Sequence, residues 1–300
     1  MYDVIICGSG PAGMSAALFL RRANLNILIV EKGTPGGKLI STALIENYPG
    51  YIENTGIDLP MIMYRQVKHF KIPYAFSEVM KIEKLGDEHF VVHTKEGDYE
   101  SKMVIWAAGT IAKQIEAEGE EEYVGRGISY CAICDGSFHE KQNVVVIGGG
   151  NSAIEEALYL AKICKKVTII TRGHHFRADP VLMEKVMRAN NVDLVTHHVI
   201  TKFTGKDLLE QVTAKDRDSD NEIVLNVRGA FIYVGFTPSS TLLENFDILD
   251  EDKYIIVDRN CETKVTGLYA AGDCIQKNIR QIATAVADGI TCASAIVRKI

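Results

Sequence analysis

Val4-Ile5-Ile6-Cys7-Gly8-Ser9-Gly10-Pro11-Ala12-Gly13 is a buried-strand pattern running straight into a glycine-rich turn, and the chain does the same thing twice. Val144-Val145-Val146-Ile147 precedes Gly148-Gly149-Gly150-Asn151-Ser152-Ala153 at a constant offset from the first copy. Each turn feeds a helical pattern, Met14 to Arg22 and Ile154 to Ala161, and each helix returns to a strand, Asn26 to Val30 and Lys166 to Ile170. Two such βαβ beginnings predict two Rossmann-type domains.

Residues 76 to 99 alternate polar and apolar, with turns at Gly86-Asp87 and Glu96-Gly97-Asp98, which predicts antiparallel hairpins. A strand then ends in the small-residue turn Ala107-Ala108-Gly109-Thr110, where backbone can approach a cofactor. The second copy repeats the scheme with a meander from Asp193 to Asn226 and a strand from Ala230 to Gly235. The tail, Gly267 to Asp273 followed by a helix from about Gln281 to Arg298, resembles the end of the first copy. The expected fold is therefore α/β, with two Rossmann-like three-layer ββα/βαβ dinucleotide-binding domains, the second inserted into the first. The first domain takes 1–112 and 243–300, and the inserted one takes 113–242.

In the first loop Gly8 permits the tight turn, Gly10 lets backbone approach a pyrophosphate, and Gly13 allows the helix to pack close on the strand. Phosphates then face the helix N-terminus. Glu31 ends the next strand, where its carboxylate can accept hydrogen bonds from an adenosine ribose. The second loop, with Gly148, Gly150, Asn151 and Ser152, has Ala153 for the third glycine, and Thr171 stands at the position equivalent to Glu31. Without that carboxylate the repulsion against a 2′-phosphate is gone, and Arg172 with Arg177 can clamp the phosphate. The first site suits FAD; the second suits NADPH better than NADH.

Between the loops stands Cys131-Ala132-Ile133-Cys134-Asp135-Gly136. Thiolates at this spacing can close a disulfide after attacking another one, and Asp135 is placed to give a proton to a departing thiolate or reclaim it. Half of a zinc site, with His139 and Cys164 added, competes with this reading but lacks a second Cys pair, so no metal site is expected. Cys7, Cys164, Cys261, Cys274 and Cys292 are scattered, as expected of buried cysteines in a reducing cytoplasm.

Three hundred residues suit two domains of about 150 each. A net charge of −6, with no long basic block, argues against nucleic acid or an anionic membrane as partner. The chain opens on a strand-like run rather than a secretory leader, and no apolar stretch reaches the roughly 18 residues that cross a bilayer.

With both loops and the dithiol, the sequence resembles the low-molecular-weight, bacterial-type thioredoxin reductases over nearly its whole length. The matching segments are the two glycine loops, Glu46-Asn47-Tyr48-Pro49-Gly50, the Cys131 to Gly136 stretch, and Gly272-Asp273 with Arg280-Gln281. The resemblance implies that Cys134 faces the flavin, Cys131 attacks the thioredoxin disulfide, and Asp135 is the acid–base group. It implies that Glu31, Gly37, Asn47, Asp273 and Arg280-Gln281 hold FAD, with Lys32, Gly36, Lys38, Leu39, Ala108, Gly109 and Ile282 beside them. It also implies a homodimer whose inserted domain rotates to present either nicotinamide or dithiol to the flavin. NADH- or ferredoxin-fed relatives and a non-enzymatic redox sensor are the rival readings.

Two departures stand out. Where the family carries His-Arg-Arg, this chain has Thr171-Arg172-Gly173, followed by His174-His175. Losing one charge-assisted contact of about 1.5–3 kcal/mol narrows the preference for NADPH by roughly one to two orders of magnitude. His174 and His175 can substitute for the missing arginine when protonated, but the favoured reading is the bland one, solvated loop histidines. Lys38 replaces a family Gln, and an ammonium aimed at the flavin ring would raise its potential.

Overall fold

The computed structural model describes residues 1–42, 45, 47–51 and 58–300; Glu46 lies outside them. It divides into two compact units, one of residues 1–40, 45–111 and 237–300, the other of 112–236 with Ser41 and Thr42. Both are α/β, and both follow from one property of their central strand.

In the first unit the strand Tyr2–Cys7 pairs in parallel with Ile27–Glu31 on one side and Gly97–Trp106 on the other. Side chains alternate across a strand, so a run without polar residues must be covered on both faces. Val4 and Ile6 enter a core with the helices Pro11–Arg22 and Ile282–Val297, through Met14, Leu20, Cys292 and Ile296. Ile5 and Cys7 enter a second core with Ile82, Phe90, Val92, Trp106 and Leu243. On its other edge the strand Gly97–Trp106 serves two further partners: its first half pairs antiparallel with His89–Thr94, its second half in parallel with Leu268–Ala270. The hairpin and the C-terminal strand thus share one edge of one strand.

Pro11 opens its helix at a position where the missing N–H costs nothing, and Arg21 and Arg22 sit in the last turn, favourably placed for its dipole. The C-terminal helix packs on it so tightly that a Cβ at Gly289 would lie 2.1 Å from the Ala12 carbonyl oxygen.

The second unit repeats the layering. Its parallel sheet runs, edge to edge, Val192–Val195, Lys166–Ile170, Asn143–Ile147, Gly229–Ile232, Ile128–Ser129. Val144 and Val146 meet Ile154, Ala157 and Leu160 of the helix Asn151–Ala161. Val145 and Ile147 meet Phe203, Val212 and Ala214 of a three-stranded antiparallel sheet, His198–Gly205, Leu209–Asp216 and Glu222–Asn226.

Two expectations are corrected. The second crossing falls between residues 236 and 237, not near 242, because Leu242 and Leu243 pack into the apolar core of the first unit. At the crossings the segments Thr110–Ala112 and Phe236–Pro238 form a two-stranded ladder. The meander begins at His198 rather than 193, since Val192–Val195 is a parallel strand of the main sheet. Its apolar Val192 and Leu194 pack against the core on the helix side, which a period-two reading assigns to a hairpin face as readily as to a buried sheet.

Gly289→Ala is expected to destabilise the first unit by about 1–3 kcal/mol, because the helices must separate to admit the methyl group. Urea unfolding followed by the fluorescence of Trp106, the single tryptophan, reads this directly.

Candidate active site

The first unit builds a cradle around its glycine loop. Gly8 holds φ at +105°, and a Cβ there would meet the Ala107 carbonyl oxygen at 2.5 Å, so only glycine brings the Tyr2–Cys7 strand end this close to the Ala107-Ala108-Gly109 turn. Gly36 donates to Ser9 O at 2.9 Å, which lays the Gly36-Gly37 turn over the loop; a Cβ on Gly37 would stand 3.2 Å from the Cα of Gly10. Glu31 accepts the Ser9 and Gly33 N–H groups at 2.8 and 2.9 Å, fixing its carboxylate at the loop. No side chain caps the helix that follows Gly10. Its first turn keeps backbone donors for an anion.

At the far end of the cradle Asp273 follows Gly272. Its Oδ2 takes the Lys38 ammonium at 2.5 Å. Among the described residues its Oδ1 is buried without a hydrogen-bond partner, 3.8 Å from Lys277 Nζ. Lys277 in turn binds Asp288 at 2.6 Å, and Asp288 accepts the Gly272 N–H at 3.1 Å. Arg280 is occupied by its own unit: it donates to the carbonyls of Asp273 and Ile275 and stacks 3.8 Å over Tyr254. Asn47 donates to Gln281 Oε1 at 3.2 Å, with Ile282 opening the C-terminal helix and Leu39 buried below. Lys32 is exposed and pairs with Glu78. Lys277 and Asp288 were not singled out from sequence; a lone acid inside the apolar helix Ile282–Val297 was the available signal.

In the second unit the loop Gly148 to Ala153 is overlain by the segment that carries the arginines. Arg177 N donates to Gly149 O at 2.6 Å, and Asn151 and Asp179 exchange two hydrogen bonds at 2.8 Å. Thr171 is buried against Gly149, while Arg172 and Arg177 are exposed. Gly150 caps the helix through backbone alone.

The dithiol lies in this same unit. Cys131 and Cys134 are joined as a disulfide across the short helix Ala132–Asp135. Cys134 is the more exposed of the two, and its N–H points at Cys131 Sγ from 3.1 Å. That donor favours negative charge on Cys131 once the bond opens. Two side chains fix the helix. Tyr233 OH accepts the Ala132 N–H at 2.8 Å, and Ser129 donates to Asp135 Oδ2 at 2.6 Å while accepting the Cys131 N–H at 3.0 Å. Burial, with Glu156 adding to it, pushes the Tyr233 phenol far up, so it stays protonated. Neither Ser129 nor Tyr233 carries a sequence signal, because each acts through a fold-made contact. His139 is buried edge-on to Phe231, and burial holds its imidazole below the usual range against the pull of Gln142 and Asp135.

The other five cysteines are buried. Burial raises the thiols of Cys7, Cys261 and Cys274 to about 12 and that of Cys164 to about 11, with Cys292 well above its ordinary value. They stay protonated and unreactive, leaving one working pair.

The chain matches the pyridine nucleotide-disulphide oxidoreductase family over residues 2–289. It is 40% identical over 299 residues to a thioredoxin reductase of Bacillus subtilis, covering 99% of this chain and 94% of that one. The crystal structure of Lactococcus lactis thioredoxin reductase in its FR conformation superposes with a TM-score of 0.96 at 38% identity, covering all of both chains. That of T. acidophilum thioredoxin reductase gives 0.94 at 34% identity, covering 99% and 98%.

Ser129→Ala is expected to slow exchange between the reduced dithiol and a small aromatic disulfide about two- to tenfold, the worth of one hydrogen bond. Stopped-flow absorbance measures it. His139 predicts a pH effect. Its folded pKa is depressed, so its contribution to stability is present above about pH 6.5 and is lost as pH falls toward the folded value, where the unfolded chain takes up the proton first. The fall in urea midpoint between pH 7.5 and 5.5 should therefore be smaller in His139→Gln than in the wild type.

Proposed function

The chain belongs to the pyridine nucleotide-disulphide oxidoreductase family and, within it, to the thioredoxin reductases, and on that premise we propose that it carries electrons from NADPH through FAD and the Cys131/Cys134 dithiol to thioredoxin. The observation that carries this reading is a disulfide held on the same unit as the second dinucleotide loop, with a donor aimed at one sulfur and a carboxylate pinned beside it.

The first unit's residues fit a flavin dinucleotide. The Gly8 to Gly13 loop and the uncapped helix would hold its pyrophosphate, and Glu31 its adenosine ribose. The buried Asp273 Oδ1 without a partner is suited to a hydroxyl donor of the cofactor's chain. When bound, such a flavin takes a hydride from a nicotinamide and passes two electrons to a disulfide. Lys38 acts on it through Asp273 rather than by direct aim, since its ammonium rests on that carboxylate.

The protein's own steps then balance. Two electrons and a proton open the Cys131–Cys134 bond. Cys131 attacks the thioredoxin disulfide, forming a mixed disulfide, and Asp135 protonates the departing thiolate. Cys134 attacks the sulfur of Cys131, reforms the internal disulfide and releases reduced thioredoxin. Ser129 and Tyr233 keep the helix from shifting during the exchange.

Arg172 and Arg177 recognise the 2′-phosphate, and Gly173 in place of an arginine narrows the margin over NADH. We further propose a cytoplasmic homodimer whose flavin-binding domain is interrupted by a nucleotide-binding insertion, with the second crossing between residues 236 and 237. No helix among the described residues is long and apolar enough to cross a membrane.

Anaerobic NADPH should bleach the flavin band of wild type and of Cys134→Ser alike, while only the wild type turns over thioredoxin. Arg172→Ala should lower kcat/KM for NADPH about tenfold or more and leave that for NADH nearly unchanged. A wild-type protein that bleaches but leaves thioredoxin oxidised would overturn the assignment.

A further inference from the structure

His174, His197 and Asp218 come from three separate loops of the second unit. His174 follows the strand Lys166–Ile170, His197 joins Val192–Val195 to His198–Gly205, and Asp218 lies in the hairpin turn after Leu209–Asp216. Backbone hydrogen bonds draw them together. The His197 N–H donates to Gly173 O at 2.9 Å, and the His197 carbonyl accepts the Arg217 N–H at 3.0 Å. One residue is thereby stitched to the immediate neighbours of the other two. A further bond from Arg217 Nη1 to Arg172 O, at 3.1 Å, closes the set. His197 sits in the left-handed region, φ +61°, a conformation that non-glycine residues adopt at a cost and that is held here from both sides.

The side chains converge accordingly. The rings of His174 and His197 lie parallel, 12° apart in plane, with centroids 3.8 Å apart. Asp218 Oδ2 lies 2.8 Å from His197 Nε2. That approach pairs His197 Nε2 with the carboxylate, and among the described residues His197 Nδ1 is buried with no hydrogen-bond partner. One ligand atom from each of the three residues falls within 4.8 Å of the other two.

We propose that His174, His197 and Asp218 form a binding site for a divalent transition ion of borderline character, with Zn²⁺ as the type case. Two imidazoles and one carboxylate are the donors such ions take, whereas Ca²⁺ and Mg²⁺ require oxygen throughout. Bonds of about 2.0–2.1 Å place tetrahedral ligand atoms roughly 3.4 Å apart, a contraction that the exposed side chains of His174 and Asp218 reach by rotation. His197, held in place by its backbone, is the anchor ligand: the unprotonated nitrogen of its neutral imidazole donates its lone pair to the metal. Three protein ligands leave a fourth position for water, which describes an exchangeable ion rather than a closed structural centre.

His93 supplies a contrast. Its two nitrogens lie 3.2 Å from Glu83 and 2.9 Å from Asp98, so the ring is paired on both sides with carboxylates and no second imidazole stands beside it.

Equilibrium dialysis of the air-oxidised holoenzyme against micromolar free Zn²⁺, with protein-bound metal measured by atomic emission, tests the site. Oxidation keeps Cys131 and Cys134 in their disulfide and out of the measurement. One equivalent is expected in the wild type and in His93→Gln, with affinity reduced about tenfold or more in both His174→Ala and Asp218→Asn. Both of these positions are exposed, so neither variant disturbs a core. A wild type that retains no zinc, or wild-type affinity in either variant, overturns the proposal.

Discussion

A parallel strand with apolar side chains on both faces has to be covered twice, and its carbonyl end has to open somewhere. In both units that single constraint organises the rest. Val4 and Ile6 require helices on one side, Ile5 and Cys7 require an antiparallel layer on the other, and Val144 to Ile147 repeat the demand. The strand can end only through a turn tight enough to start a helix on one face, which is why Gly8 stands where any Cβ would strike the Ala107 carbonyl. A helix begun without a side-chain cap offers its backbone donors to an anion, so the packing rule and the nucleotide site are one arrangement.

The dithiol draws on the same scaffold. Its helix is only Ala132–Asp135, too short to hold itself, and it is positioned from outside by Tyr233 at the end of one sheet strand and Ser129 at the end of another. The reactive groups are therefore local in sequence, while their supports are a hundred residues away in one case and two in the other. Reactivity is divided just as sharply. Burial holds five thiols protonated, and the pair placed at the surface of its unit carries the exchange chemistry.

Much of this was legible in the residues. The repeat of apolar run, glycine turn and helix gave both central sheets, and Cys-x-x-Cys-Asp gave the working pair, because these features depend on neighbours within a few positions. The second crossing was not legible, since Leu242 and Leu243 read as part of any apolar strip until the core they enter is known. Nor was Val192–Val195, whose pairing with Lys166–Ile170 rather than with a hairpin partner is a matter of which edge lies free. Lys38 was visible as a departure, yet its pairing with Asp273, 235 positions away, was not.

The sequence by itself determined two nucleotide-binding folds, their nesting and a thiol–disulfide exchange pair, since periodicity, glycine placement and motif spacing act over short stretches of chain. Only the tertiary structure decided which distant groups act on those motifs: Tyr233 on the Ala132 N–H, Lys38 on Asp273, and the joining of His174, His197 and Asp218. Hydrogen bonds between loops distant along the chain form only after the sheets have brought their ends together, and nothing in the linear order encodes that meeting.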